Sequence, residues 1–236
     1  MLKIYEKLKQ VFGQIQTQIG HSHCYLCRQA SRTLVCDFCM QQAVLPLFPS
    51  PGHNLLEYPR VYKHLKPPAY ERLFALGKYE GILAGLVNQL KFSKQPLAAR
   101  VLSDFFIEYL GLRLSINASI PDALVPIPLG HLRYMGREYN QSRLLAQAIA
   151  AELGIECIDG LQRIKHTKQQ SRLNKEDRED NIRHAFAVNQ PINVESIALI
   201  DDVVTTGATI NEACLCIQEA YPDLRISVWA MAVTMK

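Results

Sequence analysis

The 236-residue chain lacks the features that mark several large classes of protein. No apolar run approaches the roughly 18 residues that would cross a bilayer. The first nine residues mix apolar side chains with charges, so they lack the apolar core of a signal peptide. No internal repeat or low-complexity tract is visible. We therefore expect a cytoplasmic globular protein, in which the basic amphipathic segment 2–15 packs on its own domain or touches a membrane surface or a partner.

Two common nucleotide-binding signatures are also missing. The chain contains neither the Gly-x-x-x-x-Gly-Lys-Ser/Thr phosphate loop nor the Gly-x-Gly-x-x-Gly dinucleotide fingerprint. Its net charge of +4 is uneven, because residues 1–100 carry +8 and the remainder −4. Any contact with a polyanion is therefore expected in the first part of the chain, and the alternative is an ordinary solvated surface.

Four of the seven cysteines form two C-x-x-C pairs that are separated by eight residues: Cys24 with Cys27, and Cys36 with Cys39. Two such pairs predict a tetrahedral Cys₄ site for structural Zn²⁺, with no open position for catalysis. The alternative is thiol redox chemistry, which a single C-x-x-C beside a βαβ unit would favour. The other three cysteines lie in predicted helices or strands and are expected to be small buried residues.

The Pro-rich segment 46–70 predicts an irregular connection between two parts of the chain. We predict an N-terminal part over 1–70, comprising a helix, a small Cys₄ zinc module and this connection, and a second domain over 71–236. The apolar pattern of the second domain predicts strands at 73–79, 122–127, 195–200 and 225–233, and helices at 81–90, 97–114, 141–153 and 209–220. Their alternation indicates an α/β fold with a doubly wound parallel sheet. Residues 162–183 are polar and predict an exposed, mobile loop.

The most informative segment is 197–210, in which an apolar strand leads into Asp201 and Asp202, then a small-residue loop and a helix. The first N–H groups of such a helix have no partner and attract phosphate. Gly207 allows the backbone to approach an anion, and the threonine hydroxyls add donors. The two carboxylates are suited to accept hydrogen bonds from the vicinal hydroxyls of a ribose.

This segment resembles the signature of the phosphoribosyltransferases, which consists of hydrophobic residues, two acids and a Thr- and Gly-rich loop. The resemblance implies a type I phosphoribosyltransferase-like domain that binds phosphoribosyl pyrophosphate (PRPP), with Mg²⁺ accompanying the pyrophosphate. The implied PRPP-binding residues are Asp201, Asp202, Thr205, Thr206, Gly207, Ala208 and Thr209.

Cysteine pairs ahead of such a domain resemble the bacterial ComF family, with GntX-type proteins as close relatives. Four further segments match family blocks: Tyr79-Glu80-Gly81 with Leu90-Lys91-Phe92, the Val125-Pro126-Ile127-Pro128 strand end, 137–142, and Gln170 with Arg178, Asn181 and Phe186. Glu138 departs from the pattern, since the family usually has glycine there. The resemblance implies pyrophosphate or closing-loop contacts from Pro126, Pro128, Arg137, Asn140, Gln141 and Arg178. The alternatives are a rigid turn at the prolines and a helix cap at 137–141.

The ComF resemblance also implies a function in natural transformation, in which the protein binds PRPP and single-stranded DNA in the cytoplasm, or at the periphery of the inner membrane, during DNA uptake. Other competence proteins, such as a DNA-uptake helicase or channel, are the implied partners. Tyr58, Tyr62 and Tyr70, among several basic residues, could stack on bases or could cover the domain junction. The alternative function is a catalytic phosphoribosyltransferase that releases pyrophosphate from PRPP, with an acceptor that the sequence does not identify.

Overall fold

The computed structural model describes residues 23–44, 54–93, 95–114, 120–129, 139–164 and 184–235. The chain divides into two compact units, Met1–Pro46 and Leu47–Lys236. The predicted helix over 2–15, Arg137, Arg178 and most of the predicted loop lie outside the described residues. The predicted domain boundary after residue 70 stays a prediction. Among the described residues, no helix has the length and apolarity of a membrane span.

The first unit is built around a tight turn at the first cysteine pair, followed by helix α1, Asp37–Val44. The Cys24 N–H donates to Gln29 O at 2.7 Å, and the Arg28 N–H donates to Cys24 O at 3.0 Å. Arg28 adopts a left-handed φ of 64°, which closes the turn. Asp37 lies in the first turn of α1, where a carboxylate interacts favourably with the helix dipole.

The second unit alternates strands and helices, and the predicted helices 97–114 and 141–153 and the predicted strand 225–233 match the structure residue for residue. In chain order its elements are a 3₁₀ turn Leu55–Glu57, α2 Pro59–Tyr62, β1 Arg72–Lys78, α3 Gly81–Phe92, α4 Leu97–Leu114, β2 Ala123–Pro126, α5 Gln141–Leu153, β3 Glu156–Cys157, β4 Leu161–Arg163, β5 Phe186–Val188, β6 Ser196–Val204, α6 Ala208–Ala220 and β7 Arg225–Val233.

Five of the strands form one sheet in the order β1-β7-β6-β2-β3, and every neighbouring pair is parallel. From β2 the chain passes through α5 to β3 at one edge, whereas from β6 it passes through α6 to β7 in the opposite direction. The sheet is therefore doubly wound, and the predicted fold class is confirmed. The short antiparallel pair β4–β5 forms a separate two-stranded sheet, at the two ends of the predicted loop.

Side chains from both faces of the main sheet are buried. On one face, Leu73 and Val228 pack in a cluster with Ile210 and Ile217 of α6. On the other face, the Phe106 ring of α4 packs on Trp229 of β7, with ring centroids 5.3 Å apart. Because both faces are covered, the central strands are almost continuously apolar, as parallel strands usually are.

Residues 54–70 of the Pro-rich segment contain the 3₁₀ turn and α2, and they are part of the second unit. Their side chains Leu55, Val61 and Tyr70 are buried in the same cluster as α6. Tyr70 is only 6% exposed, so its ring face is not available for base stacking. The suggestion that Tyr70 stacks on bases is therefore wrong, and its ring instead packs in this cluster of the second unit.

Candidate functional site

The acid pair lies at the point where β6 extends beyond its neighbour β2. Strand β2 pairs with β6 only as far as Ile200, and the Ile127 N–H then donates to Ile200 O at 3.0 Å. Residues 201–204 continue β6 and pair with β7 on the other side. The crossovers from β2 and β6 leave in opposite directions, so this gap is the switch point at which open α/β sheets bind ligands.

The predicted phosphate loop follows directly, over residues 205–207, and joins β6 to α6. Thr205 and Thr206 are exposed, whereas Gly207 is buried and adopts a left-handed φ of 71°. Gly207 is the N-cap of α6 and provides no side-chain cap, so the opening N–H groups of this 13-residue helix can serve an anion. The structure thus places Thr205, Thr206, Gly207, Ala208 and Thr209 between the end of β6 and the first turn of α6, and their binding of PRPP stays a prediction.

Each carboxylate of the acid pair has a defined set of partners. Asp201 Oδ1 accepts hydrogen bonds from Ser142 Oγ at 3.1 Å and from the Asp202 N–H at 2.9 Å. Burial, together with the neighbouring Asp202 carboxylate, raises the pKa of Asp201 to about 7, although Lys91 and these hydrogen bonds act in the opposite direction. Asp202 forms an ion pair with Lys91, with Nζ 3.0 Å from Oδ1. The pKa of Asp201 thus lies near neutral pH. Asp202 is paired with the ammonium group of Lys91.

Lys91 is a site residue to which sequence reasoning gave no specific task. Its ammonium lies 5.9 Å from the centroid of the Tyr79 ring, and the Tyr79 hydroxyl donates to Asn88 Oδ1 at 2.7 Å. The Tyr139 hydroxyl donates to Leu90 O at 2.8 Å and holds the end of α3. The Tyr-x-Gly and Leu-Lys-Phe blocks therefore meet beside the acid pair. The resemblance of both blocks to the family was the sequence signal that could have identified Lys91 as a site residue.

The Pro-x-Pro segment and the start of α5 lie beside the same gap, and the side-chain amide of Asn140 is used internally. Pro126 is buried at the end of β2. Asn140 caps α5 by accepting from the Ser142 N–H at 3.1 Å, and its Nδ2 donates to Ile127 O at 3.0 Å. Gln141 is 1% exposed. The structure thus brings Asn140 to the site as a helix cap, and ligand contacts from Pro126, Pro128, Asn140 and Gln141 stay predictions.

The four paired cysteines of the first unit come together as the sequence predicts. Their sulfur atoms all lie within 4.8 Å of one another, and Cys27 Sγ is 3.8 Å from Cys36 Sγ. That separation is far longer than a disulfide. It matches the edge of a tetrahedron, about 3.8 Å, around an ion that lies about 2.3 Å from each sulfur, as Zn²⁺ does. The residues present therefore fit a tetrahedral metal ion such as Zn²⁺.

Backbone donors also favour thiolates at this centre. The Cys36 N–H points at Cys24 Sγ, at 3.4 Å. Burial raises the pKa of Cys24, but backbone N–H groups of Cys36, Cys27 and Leu26 outweigh it and lower the pKa to about 6. Burial and the three neighbouring thiols raise the pKa of Cys39 to about 12. Four crowded sulfurs can all lose their protons only when a cation neutralises them, and this is the task of a metal ion.

A parallel α/β sheet that places two acids and a Thr- and Gly-rich loop at its switch point defines the class of protein, a type I phosphoribosyltransferase-like domain preceded by a Cys₄ module. No family model matches the chain. The chain is 30% identical over 222 residues to Competence protein F of Haemophilus influenzae, which covers 89% of this chain and 95% of the relative. It is 31% identical over 223 residues to the DNA utilization protein YhgH of Escherichia coli, which covers 92% of this chain and 93% of the relative. The chain belongs to the ComF family.

A more distant relative supports the same assignment. Competence protein ComFC of Streptococcus pneumoniae is 29% identical over 146 residues, which is 62% of this chain and 61% of the relative. The ComF family predicted from the cysteine pairs and the later sequence blocks is therefore confirmed.

Proposed function

We propose that this chain acts in competence and DNA uptake, in the cytoplasm, by binding PRPP at the acid pair and single-stranded DNA at a basic surface. The names of the relatives support the first part, because they refer to competence and to DNA utilization. One observation carries the PRPP part: the acid pair and the start of α6 meet at the switch point of the sheet. A sugar phosphate needs a diol acceptor and a phosphate cradle side by side, and this place offers both.

The chain's own groups divide the task of holding such a ligand. The Asp201 carboxylate would accept hydrogen bonds from the ribose hydroxyls. The backbone N–H groups of Gly207, Ala208 and Thr209, with the threonine hydroxyls, would hold the 5′-phosphate. The Lys91 ammonium, already 3.0 Å from Asp202, would face the negative charge of the ligand. Mg²⁺ bound with PRPP would neutralise the pyrophosphate.

The partners of the acid pair favour binding over turnover. In a phosphoribosyl transfer, positive charge develops on the ribose, and free carboxylates near it stabilise the transition state. Asp202 is instead neutralised by Lys91, and Asp201 has a pKa of about 7. Both features weaken the negative field that transfer would need. The catalytic alternative requires that purified protein release pyrophosphate from PRPP when an acceptor base is added.

Titration of the purified chain with PRPP and Mg²⁺ tests the ligand proposal. We expect the wild type to bind, and the double variant Asp201→Asn/Asp202→Asn to bind at least tenfold more weakly. Asp223→Asn is the matched control, because Asp223 is an exposed aspartate outside the site, and it should bind as the wild type does. If the wild type shows no heat of binding and no protection of the loop, the PRPP proposal fails.

The DNA surface is proposed from exposed cationic and aromatic side chains on and beside α2. Arg60 and Lys63 are exposed, and the Tyr62 ring between them is 49% exposed. Cations neutralise backbone phosphates without sequence preference, and an exposed ring can stack on a base. These are the two contacts that a single strand requires. A protein partner from the competence machinery stays a prediction.

Salt dependence tests the DNA surface. The logarithm of the affinity for single-stranded DNA should fall linearly with the logarithm of the salt concentration. Arg60→Ala/Lys63→Ala should flatten that slope by about 1.4, since each lost phosphate contact accounts for about 0.7 on a single strand. Arg225→Ala is the control, because Arg225 is exposed and 3.6 Å from Glu195. An unchanged slope in the double variant would place the DNA elsewhere on the protein.

A further inference from the structure

Residues 65–70, which we call the strap, lie against the phosphate loop and α6. The Lys66 N–H donates to Thr206 O at 3.0 Å. The Ala69 N–H donates to Asn211 Oδ1 at 2.6 Å, and Gln218 Nε2 donates to Ala69 O at 2.9 Å. The strap is thus bonded to the loop at one point and to the following helix at two.

The bond from Lys66 sets the orientation of one loop peptide. In a trans peptide, the C=O of one residue and the N–H of the next point in opposite directions, and the described residues contain no cis peptide bond. Because Thr206 O points at the strap, the Gly207 N–H on the same peptide points away from it. A ligand that lies against the loop on the side opposite the strap would meet this N–H.

Side chains of the strap also support the loop from behind. A Cβ built on Gly207 would lie 3.3 Å from Leu65 Cδ2 and 3.5 Å from the Tyr70 hydroxyl. Tyr70 is 6% exposed, and within the described part of the chain its hydroxyl has no hydrogen-bond partner. The Tyr70 hydroxyl and Leu65 Cδ2 nevertheless occupy the side of Gly207 on which a Cβ would lie. The Thr206–Gly207 peptide is thus held by the hydrogen bond from the Lys66 N–H, and Gly207 itself packs against the side chains of Leu65 and Tyr70.

We propose that the strap is the positioning element of the phosphate loop, with the Lys66 N–H fixing the Thr206–Gly207 peptide so that the Gly207 N–H faces the phosphate of a bound ligand. The inference rests on the proposed function, since it requires a phosphate-bearing ligand at this loop. The strap would act through the loop, as a positioning element rather than as a ligand contact. A donor that is already oriented needs no ordering when the ligand arrives, so affinity should depend on the strap.

A backbone substitution with a matched side-chain control tests this inference. Lys66→Pro removes the N–H, whereas Lys66→Ala keeps it and removes only the side chain. We expect PRPP with Mg²⁺ to bind Lys66→Pro at least tenfold more weakly than the wild type, and Lys66→Ala within twofold of it. In an amide NMR spectrum, the Gly207 resonance should shift on PRPP addition in the wild type and in Lys66→Ala but not in Lys66→Pro.

Asn211→Ala provides a second route that leaves residue 66 intact. It removes the acceptor of the Ala69 N–H and should weaken PRPP binding threefold or more, even where Lys66→Pro fails to fold. If folded Lys66→Pro or folded Asn211→Ala binds PRPP as the wild type does while only its melting temperature falls, the strap is merely structural and the inference is wrong. Absence of PRPP binding by the wild type itself would overturn the proposed function, and this inference with it.

Discussion

Replacing Lys91 with methionine should destabilise the protein strongly above neutral pH and much less in mild acid. The Lys91 and Asp202 side chains are only 18% and 11% exposed, so their ion pair is largely removed from water. Removing one partner of such a pair leaves an uncompensated charge, at a penalty of about 3–5 kcal/mol. Here the remaining charge also lies beside Asp201. We therefore expect a loss of about 3 kcal/mol at pH 8, within the range for breaking a buried pair.

The dependence on pH distinguishes this mechanism from simple loss of packing. Without Lys91 the two carboxylates repel each other at pH 8, whereas at pH 5 the Asp201 carboxyl, whose pKa burial and Asp202 raise to about 7, holds a proton and the repulsion is relieved. A loss of about 3 kcal/mol corresponds to a fall in melting temperature of about 6–12 °C for a domain of this size. The double variant Lys91→Met/Asp202→Asn should recover much of the loss, because it removes both charges together.

Thermal and denaturant unfolding at pH 5 and pH 8 measure the effect. Lys78→Met is the matched control, because Lys78 is exposed at the end of β1 and should change stability by no more than about 0.5 kcal/mol. If Lys91→Met unfolds like Lys78→Met at pH 8, or loses the same stability at both pH values, the ion pair does not hold the acid pair as described.

Three further predictions concern the metal centre, the acid pair and the loop. The purified chain should contain one equivalent of zinc by elemental analysis, which Cys39→Ser loses and Cys157→Ser keeps; retention by Cys39→Ser would exclude a Cys₄ site. Burial and Asp202 raise the pKa of Asp201 to about 7, so the folded state binds this proton more tightly than the unfolded state does. Stability should fall as pH rises from about 4 to about 7, with a shallower fall in Asp201→Asn; equal slopes would refute the assignment. Gly207→Ala should lower the free energy of unfolding by about 1–2 kcal/mol, the penalty of a left-handed φ for alanine. Gly85→Ala, which has open space in the middle of α3, should instead raise it by up to about 1 kcal/mol. Equal changes in unfolding free energy would contradict the role of the turn.

The long elements were predictable from sequence because their apolar patterns agree with their final surroundings. Helices α4 and α5 and strand β7 have the predicted bounds, since each buries a face or a whole run of side chains. The short strands β3, β4 and β5 contain two or three residues each, too few to produce a period. Strand β6 runs four residues beyond its predicted end, because β7 supplies backbone partners for 201–204.

The site was predictable where one segment contains all its parts and not where distant segments meet. The phosphate loop and the cysteine pairs are local patterns, and the structure assembles both. The contacts of Lys91, Ser142 and Lys66 join segments that lie 59–140 residues away from their partners. No local pattern encodes such pairs, although Lys91 lies in a block that resembles the family.

The order of strands in the sheet has a consequence for how the protein is made on the ribosome. Strand β7 follows the other described strands of the sheet along the chain, yet it lies between β1 and β6 and pairs with both. Until residue 233 has left the ribosome, β1 has no neighbour in the sheet and the acid pair lies on an open edge. The two parts of the sheet on either side of β7 can therefore join only when β7 is available, and parallel pairings between segments so distant in sequence form slowly. Loss of β7 would thus separate β1 from β6 in the middle of the sheet rather than shorten one edge.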